Sequence, residues 1–444
     1  MQPPKFIDSR CPSRSPSTRP TTRRTFLGDS LGTTLGVAST LGVASTLGVA
    51  STLGVASTNG LASLPTVGAF VSGSDHLRVG LIGCGGRGTG AAMQAAAADR
   101  GVQIVAMGDL FADQLASSAR LLARDLGAQF ACPPERQFIG DQAYKMVLDA
   151  GVDAVLLTTP PQARPLHLAT AVGQGKHVFC EMPVAVDIAG VHQVTAACAL
   201  ARATKVSIVS GLCFRSDAPT VELMRRIHAG SIGHPLAVRV GAAIGLPWRK
   251  AQPTWNSREW RQRNWISFAE FSGGDFVEHH VHAIDKALWA FGDACPVSVV
   301  GSRLPNQPNA WSIGNCLDGV AVRYLFADGS VADASCQRAE RFGSRVEETV
   351  FGSKGRCDLR QPVSRNGEQG VGHHAAQTPN RYQAGMNVFV QAVRLNAPVQ
   401  DGDLMCRSTL AAIMGRLAAE SGHRLMWDEI ACKQKTAPVD SRYV

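Results

Sequence analysis

The stretch Leu77-Arg78-Val79-Gly80-Leu81-Ile82-Gly83-Cys84-Gly85-Gly86-Arg87-Gly88 decides the fold. Its first half is a short apolar run of β character, and its second half is a GxGxxG. The small residues from Thr89 to Ala98 then read as a helix, which is the context this motif requires. Each glycine has a separate task. Gly83 permits the tight turn, Gly85 lets the backbone approach a pyrophosphate, and Gly88 lets helix and strand pack closely. Gly86 and Arg87 lie between them, at a helix start that offers free N–H groups and a positive dipole end to phosphate.

Working outward, Val102 to Met107 reads as a second strand ending at Gly108-Asp109. An acid there accepts hydrogen bonds from the adenine ribose and repels a 2′-phosphate, which favours NAD over NADP. Leu115 to Leu126 reads as a helix, Val152 to Leu157 as a buried strand, Pro165 to Gly173 as a helix and His177 to Cys180 as a strand. Such alternation predicts a doubly wound parallel sheet, an α/β Rossmann domain over 75–204. Ligands sit at the carboxyl ends of its strands, which puts Thr158, Thr159, Pro160, Glu181, Met182 and Pro183 beside the cofactor.

The order of these motifs resembles the glucose–fructose oxidoreductase / inositol dehydrogenase (Gfo/Idh/MocA) family. The resemblance rests on the GxGxxG, the strand-end Asp109, Thr159-Pro160 with His167 downstream, and Gly175-Lys176-His177-Val178-Phe179-Cys180-Glu181-Met182-Pro183. It covers about residues 76–430. It implies a second α+β domain, 205–435, built on a large, mostly antiparallel sheet. It also implies an NAD(P)-dependent oxidoreductase acting on a CH–OH group, and a homo-oligomer, dimer or tetramer. The family reads Glu-Lys-Pro where this chain has Glu181-Met182-Pro183. That lysine is positioned near the nicotinamide and the reacting hydroxyl, and methionine offers no charge and no donor.

In the second domain, the segment Gly273 to Trp289 is the richest in chemistry. Read as a helix from Phe276, it puts Glu278, His282 and Asp285 on one face. A carboxylate beside an imidazole can handle protons near neutral pH. The resemblance implies that His282 is the catalytic acid/base and that Glu278 stands where the family has Asp. Arg215 matches a basic residue that lines the family's substrate cleft; a salt bridge is the competing reading. Trp255, Trp260 and Trp265 alternate with Arg258, Arg261 and Arg263, which suits either a sugar platform or simple packing. Trp265 and Asp285 join Arg215 as candidate substrate contacts. His279, His280 and His282 lack a distant third ligand, and no metal is expected. Gln361 to Gln377 reads as an exposed loop.

Residues 1–74 differ from the rest. A polar, basic stretch ends in Arg23-Arg24-Thr25-Phe26-Leu27, followed by four copies of Leu-Gly-Val-Ala-Ser-Thr between Leu35 and Thr58. A basic region, a modest apolar region and then small residues are the layout of an export signal, and the twin arginine points to the Tat route and an extracytoplasmic location. A retained membrane anchor is the alternative. The net charge is +9, and the first 60 residues carry six basic against two acidic side chains, so the body is only mildly basic and shows no nucleic-acid patch. Twelve cysteines without a CxxC argue against a disulfide framework or a zinc knuckle.

Together these features predict hydride transfer between NAD and a hydroxyl-bearing carbon of a sugar, polyol or sugar-derived acid. One alternative is an NAD-dependent glycoside hydrolase with a tightly bound, recycled cofactor. The other is a catalytically impaired dinucleotide-binding protein, suggested by Met182.

Overall fold

The computed structural model describes residues 75–305, 313–339, 346–360 and 380–431. The leader and the 361–377 stretch fall outside them.

The first sheet follows the expected alternation: β1 (Leu77–Ile82), α1 (Gly86–Ala98), β2 (Val102–Asp109), α2 (Ala112–Leu126), β3 (Gln137–Ile139), α3 (Ala143–Asp149), β4 (Ala154–Leu157), α4 (Arg164–Gly173), β5 (His177–Cys180), α5 (Ile188–Thr204) and β6 (Ile208–Ser210). Its six strands lie in the order β3-β2-β1-β4-β5-β6, all parallel. The strands are apolar on both faces because helices cover both faces, the usual condition of a parallel sheet. β4 and β6 are shorter than their apolar runs suggest: Val152 and Val206 are buried in the approaches to these strands.

The remaining elements are α6 (Ala218–His228), β7 (Pro235–Gly245), α7 (Ser257–Arg263), α8 (Ala269–Ser272), α9 (Asp275–Glu278), α10 (Val281–Ala290), β8 (Ser298–Arg303), β9 (Gly319–Leu325), β10 (Val331–Ala339), β11 (Val346–Gly352), β12 (Gly355–Asp358), α11 (Arg381–Arg394), α12 (Gly402–Ser421), β13 (Leu425–Met426) and α13 (Trp427–Ala431). Seven strands form the second sheet in the order β12-β11-β7-β10-β9-β8-β13. Only β7 and β10 pair in parallel; every other neighbour is antiparallel. The fold is thus a Rossmann domain followed by an α+β domain on a mostly antiparallel sheet.

Two features position the site. One buried cluster runs without a break from Val147, Leu168 and Val191 on the first sheet's helices to Val238, Val322 and Ile413 of the second sheet and α12, so the halves share a core. The other face of the first sheet is closed by α11, whose Phe389 and Val393 pack with Leu77, Ala92 and Phe179. A helix from the end of the chain therefore covers the first sheet.

The glycine turn carries a testable distinction. A Cβ on Gly88 would lie 1.9 Å from the Gly83 carbonyl oxygen, so this glycine is required by packing. At Gly85 nothing lies within 4 Å. Gly88→Ala is expected to cost about 3 kcal/mol of stability, the upper end for overpacking, because backbone must yield. Gly85→Ala should leave stability unchanged and weaken NADH binding, since only the pyrophosphate needs that space. Urea denaturation together with NADH titration checks both.

Candidate active site

The carboxyl ends of the parallel strands open into one cleft of about 2150 Å³. It is lined by Gly83, Gly85, Gly86, Arg87, Gly88, Asp109, Thr158, Thr159, Pro160 and His167, ten of the thirteen residues expected at the cofactor. α1 starts straight after Gly85 with no side-chain cap, which leaves its first amides available to an anion. Gly83 has φ +95°, and a Cβ there would meet the Thr159 amide at 2.7 Å. The turn is therefore restricted to glycine.

Asp109 ties two loops together. Its Oδ2 accepts from the Cys84 amide at 2.6 Å and its Oδ1 from the Phe111 amide at 2.8 Å. Burial pushes its pKa up, while the two amides pull it back. A carboxylate has about four acceptor positions, so lone pairs remain for a ribose hydroxyl. The Thr158 hydroxyl donates to the Gly83 carbonyl at 2.6 Å and closes the turn. Thr159 meets His167 Nδ1 at 3.2 Å, and the His167 ring stacks on Tyr144 with centroids 4.2 Å apart. Burial lowers the His167 pKa to about 4, so the ring is neutral.

Glu181, Met182 and Pro183 lie behind the cleft wall rather than on it. Arg87 reaches across and donates from Nε to Glu181 Oε1 at 2.6 Å, while its guanidinium lies 4.9 Å from the Tyr382 ring centroid. Met182 is buried. The Pro183 carbonyl accepts from Arg164 Nη1, and the buried Arg164 Nε has no partner. Sequence reading missed Arg164 and Tyr382. Arg164 carried a signal, a cation in an otherwise buried helix face; Tyr382 comes from α11 and carried none.

The expected single helix over Glu278, His282 and Asp285 is broken. α9 ends at Glu278, and α10 starts at Val281. α9 is anchored at its start, where Asp275 Oδ2 accepts from the fully buried Arg338 of β10 at 2.6 Å. Asp285 accepts both Nε and Nη2 of Arg215 at 2.8 Å and the Ser408 hydroxyl at 2.7 Å. Arg215 also donates to Asp293 at 2.6 and 3.0 Å and lies 4.5 Å from the Trp289 centroid. With its donors and one face occupied, Arg215 is placed as the salt bridge and not as an open substrate contact; Asp285 goes with it. Trp265 does line the cleft, edge-on to Trp248 at 6.0 Å.

Glu278 and His282 are absent from the cleft lining, but each keeps an unpaired polar atom. Glu278 Oε2 and His282 Nδ1 are both buried, and neither has a hydrogen-bond partner. These atoms do not bond each other, so Glu278 does not orient His282 through them. Burial raises the Glu278 pKa to about 7, against the pull of Arg164 and His279. Burial lowers the His282 pKa to about 4. Phe214 holds the His282 ring edge-on at 6.1 Å, with Lys286 and Arg381 4.1 and 4.6 Å from the Phe214 centroid. The site pairs a neutral imidazole with a carboxyl poised near neutrality, the pattern of acid/base groups tuned apart by environment. The other two histidines diverge: His279 faces Asp275 at 3.5 Å, and His280 packs on Phe276 at 5.4 Å. Among the described residues no group of three His, Cys, Asp or Glu could hold a metal ion.

The opposite wall of the cleft comes from the second domain. Trp248, Lys250, Arg258, Gln262, Arg263 and Trp265 all line it. Trp255 and Trp260 pack within this segment, against Arg263 and Phe268. The aromatic row thus mostly packs, and two tryptophans reach the cleft.

Comparison with known proteins agrees with this geometry. Residues 77–210 match the family profile described as an oxidoreductase family with an NAD-binding Rossmann fold, and 220–358 match the GFO/IDH/MocA C-terminal domain. The scyllo-inositol 2-dehydrogenase (NAD(+)) of Bacillus subtilis is 26% identical over 281 residues, 63% of this chain and 72% of the relative. The myo-inositol 2-dehydrogenase of Thermotoga maritima is 26% identical over 63% of this chain and 74% of its own. The crystal structure of Lactobacillus casei scyllo-inositol dehydrogenase with NAD(H) and scyllo-inositol has the same fold, with TM-score 0.59 and 18% identity over 79% of this chain and 99% of that one. A glycine turn on a parallel sheet, a strand-end Asp109 and a matching second domain make this chain an NAD-binding oxidoreductase of the Gfo/Idh/MocA family.

Proposed function

We propose that this protein oxidises a secondary hydroxyl of a cyclic polyol or a sugar, or runs the reverse reduction, and that it works outside the cytoplasm after export by the twin-arginine route. The reading of the reaction is carried by one observation: Glu278 and His282 each keep a buried, unpartnered polar atom within electrostatic reach of Glu181 at the end of β5. A buried polar atom left unpaired costs about 1–3 kcal/mol, and substrate hydroxyls would satisfy these two. NAD, when bound, accepts the hydride from the carbinol carbon. The chain's own task is the proton. His282, neutral at neutral pH, takes it from the hydroxyl, and Glu278 bonds a neighbouring hydroxyl or receives the proton in turn. The inositol dehydrogenases among the relatives support a polyol, and the Arg23-Arg24 leader supports export.

The test is NADH formation by the purified protein with myo-inositol, scyllo-inositol and a panel of sugars. No turnover on any of them, with NAD bound, would count against the dehydrogenase. Turnover of a glycoside without added NAD would select the recycled-cofactor hydrolase instead, a reading favoured by the closure of Arg263 on Asp113 over the cleft.

Met182 gives a separate prediction. Lysine there places a cation at the buried turn beside β5, next to Glu181, which interacts electrostatically with Glu278. Met182→Lys is expected to raise kcat at least about tenfold, as one added acid/base or alkoxide-holding group would. It should also lower the Glu278 pKa, because a nearby cation favours the carboxylate. Activity that is zero before and after the change would instead fit a protein that keeps the dinucleotide fold without the chemistry.

A further inference from the structure

Segment 248–271 leaves β7 and crosses to the first sheet, where three different loops hold it. Arg263 donates through Nη1 and Nη2 to both oxygens of Asp113, at 2.9 Å each, at the start of α2. Arg258 approaches Asp141 at 3.8 Å, before α3. The Phe271 carbonyl accepts from the Gln162 amide at 3.3 Å, before α4. These are the loops that follow β2, β3 and β4, so the segment spans the carboxyl ends where a dinucleotide lies.

The crossing is braced from inside. Asn264, fully buried, accepts from the Lys250 amide at 2.8 Å and donates to the carbonyls of Lys250 at 2.9 Å and Trp260 at 2.8 Å. Arg263 has all three of its nitrogens engaged. Its Nε donates to Glu259 at 2.8 Å, and the Phe111 and Trp255 rings lie 4.0 and 4.5 Å from its guanidinium carbon. A guanidinium whose three donor nitrogens are engaged, with two rings against it, has little left to offer a ligand. Its work is to fasten the segment. What faces the ligand are its neighbours Lys250 and Gln262, with Trp248 and Trp265, across from the glycine turn.

We propose that 248–271 is the outer wall of the cofactor site, that Arg263 latches it to Asp113, and that bound dinucleotide leaves only when this latch opens. The proposal rests on the cleft being the NAD site. A latched wall slows exchange of the dinucleotide with solvent.

The test is the release rate of NADH, followed by loss of its fluorescence after mixing the loaded protein with excess ADP-ribose. Arg263→Ala and Asp113→Asn should each speed release at least about tenfold, the effect of losing a two-bonded, half-buried ion pair. The double variant should release no faster than the faster single, since both changes open one contact. Arg124→Ala, which breaks an exposed pair on the same helix α2, should release at the wild-type rate. Asp113 is half exposed, so Asp113→Asn tests the latch with little strain on the fold, and far-UV CD of Arg263→Ala shows whether its release rate is that of a folded protein. Wild-type release rates in both latch variants would overturn the latch. A wild-type protein that binds no NADH at all is a different result, and would overturn the cofactor site along with it.

Discussion

Replacing His282 by alanine is expected to lower kcat/KM by about 10²–10⁴, the range for losing a positioned acid/base, while NADH binds as before. The expectation follows from what the ring touches. Phe214 fixes it edge-on, Nδ1 is buried without a partner, and burial keeps it neutral down to a pKa of about 4. A neutral imidazole at neutral pH can take a proton from an alcohol. The ring does not line the dinucleotide cleft, so its loss should leave Kd for NADH unchanged. Glu278→Gln is the companion. Glu278 titrates at about 7, so the wild-type rate should carry a limb near that pH, and the glutamine variant should lose the limb. Steady-state rates from pH 5 to 9 on the polyol selected by screening, with NADH titration in parallel, check both. An alanine variant that turns over at the wild-type rate would remove His282 from the chemistry.

The first half of the fold was legible because its determinants are local. Strand, turn and helix alternate within short windows, and the glycine turn carries its own steric reasons, as the Cβ contacts at Gly83 and Gly88 show. Ten of the thirteen expected cofactor residues therefore line one cleft. The second half was less legible because its determinants are pairs far apart in the chain. Arg215 looked like a substrate contact because its partners, Asp285 and Asp293, are 70 and 78 residues away. The single helix drawn through Glu278, His282 and Asp285 had the right period. It was broken because Asp275 is pinned to Arg338, 63 residues on, while Asp285 is drawn to Arg215. Arg263 and Asp113, 150 residues apart, left no periodic trace, so the tryptophan and arginine row read equally well as sugar platform and as packing. The proposed acid/base pair, Glu278 and His282, was read from a family pattern, and the structure adds what the pattern lacks, the burial that shifts the two groups in opposite directions.

That burial has a further consequence, which is loss of the fold in mild acid. His167, His280 and His282 are each held at about 4 in the folded chain, against 6.5 for an ordinary histidine, with burial the first cause in each case. Their folded pKa values are depressed, so the unfolded chain binds protons first. Stability is then fully present above pH 6.5 and drains as pH falls towards 4. A shift of this size is worth roughly 3 kcal/mol for the fully buried His280 and less for His167, which lines the cleft, and for His282, which keeps some accessible surface. Glu278 acts in the opposite sense. Its folded pKa is raised, so its contribution is present below about 4.5 and lost as pH rises through 7, and it offsets roughly one histidine. The net acid loss is on the order of 5 kcal/mol, a large share of the 5–15 kcal/mol that holds an ordinary fold together. The urea midpoint should therefore fall steeply between pH 6.5 and 4. From these four groups the slope of unfolding free energy against pH should correspond to a net uptake of about two protons on unfolding; His177, also lowered by burial, adds to it, and His279, which despite its burial is raised by Asp275, works against it. His280→Asn removes one of these rings and should flatten that slope by about one proton. It should also leave the midpoint at pH 7.5 lower, since asparagine fills the pocket beside Phe276 less well. A midpoint that stays level from pH 7 to 4.5 would mean that these rings are reached by water, and the neutral state assigned to His282 would fall with it.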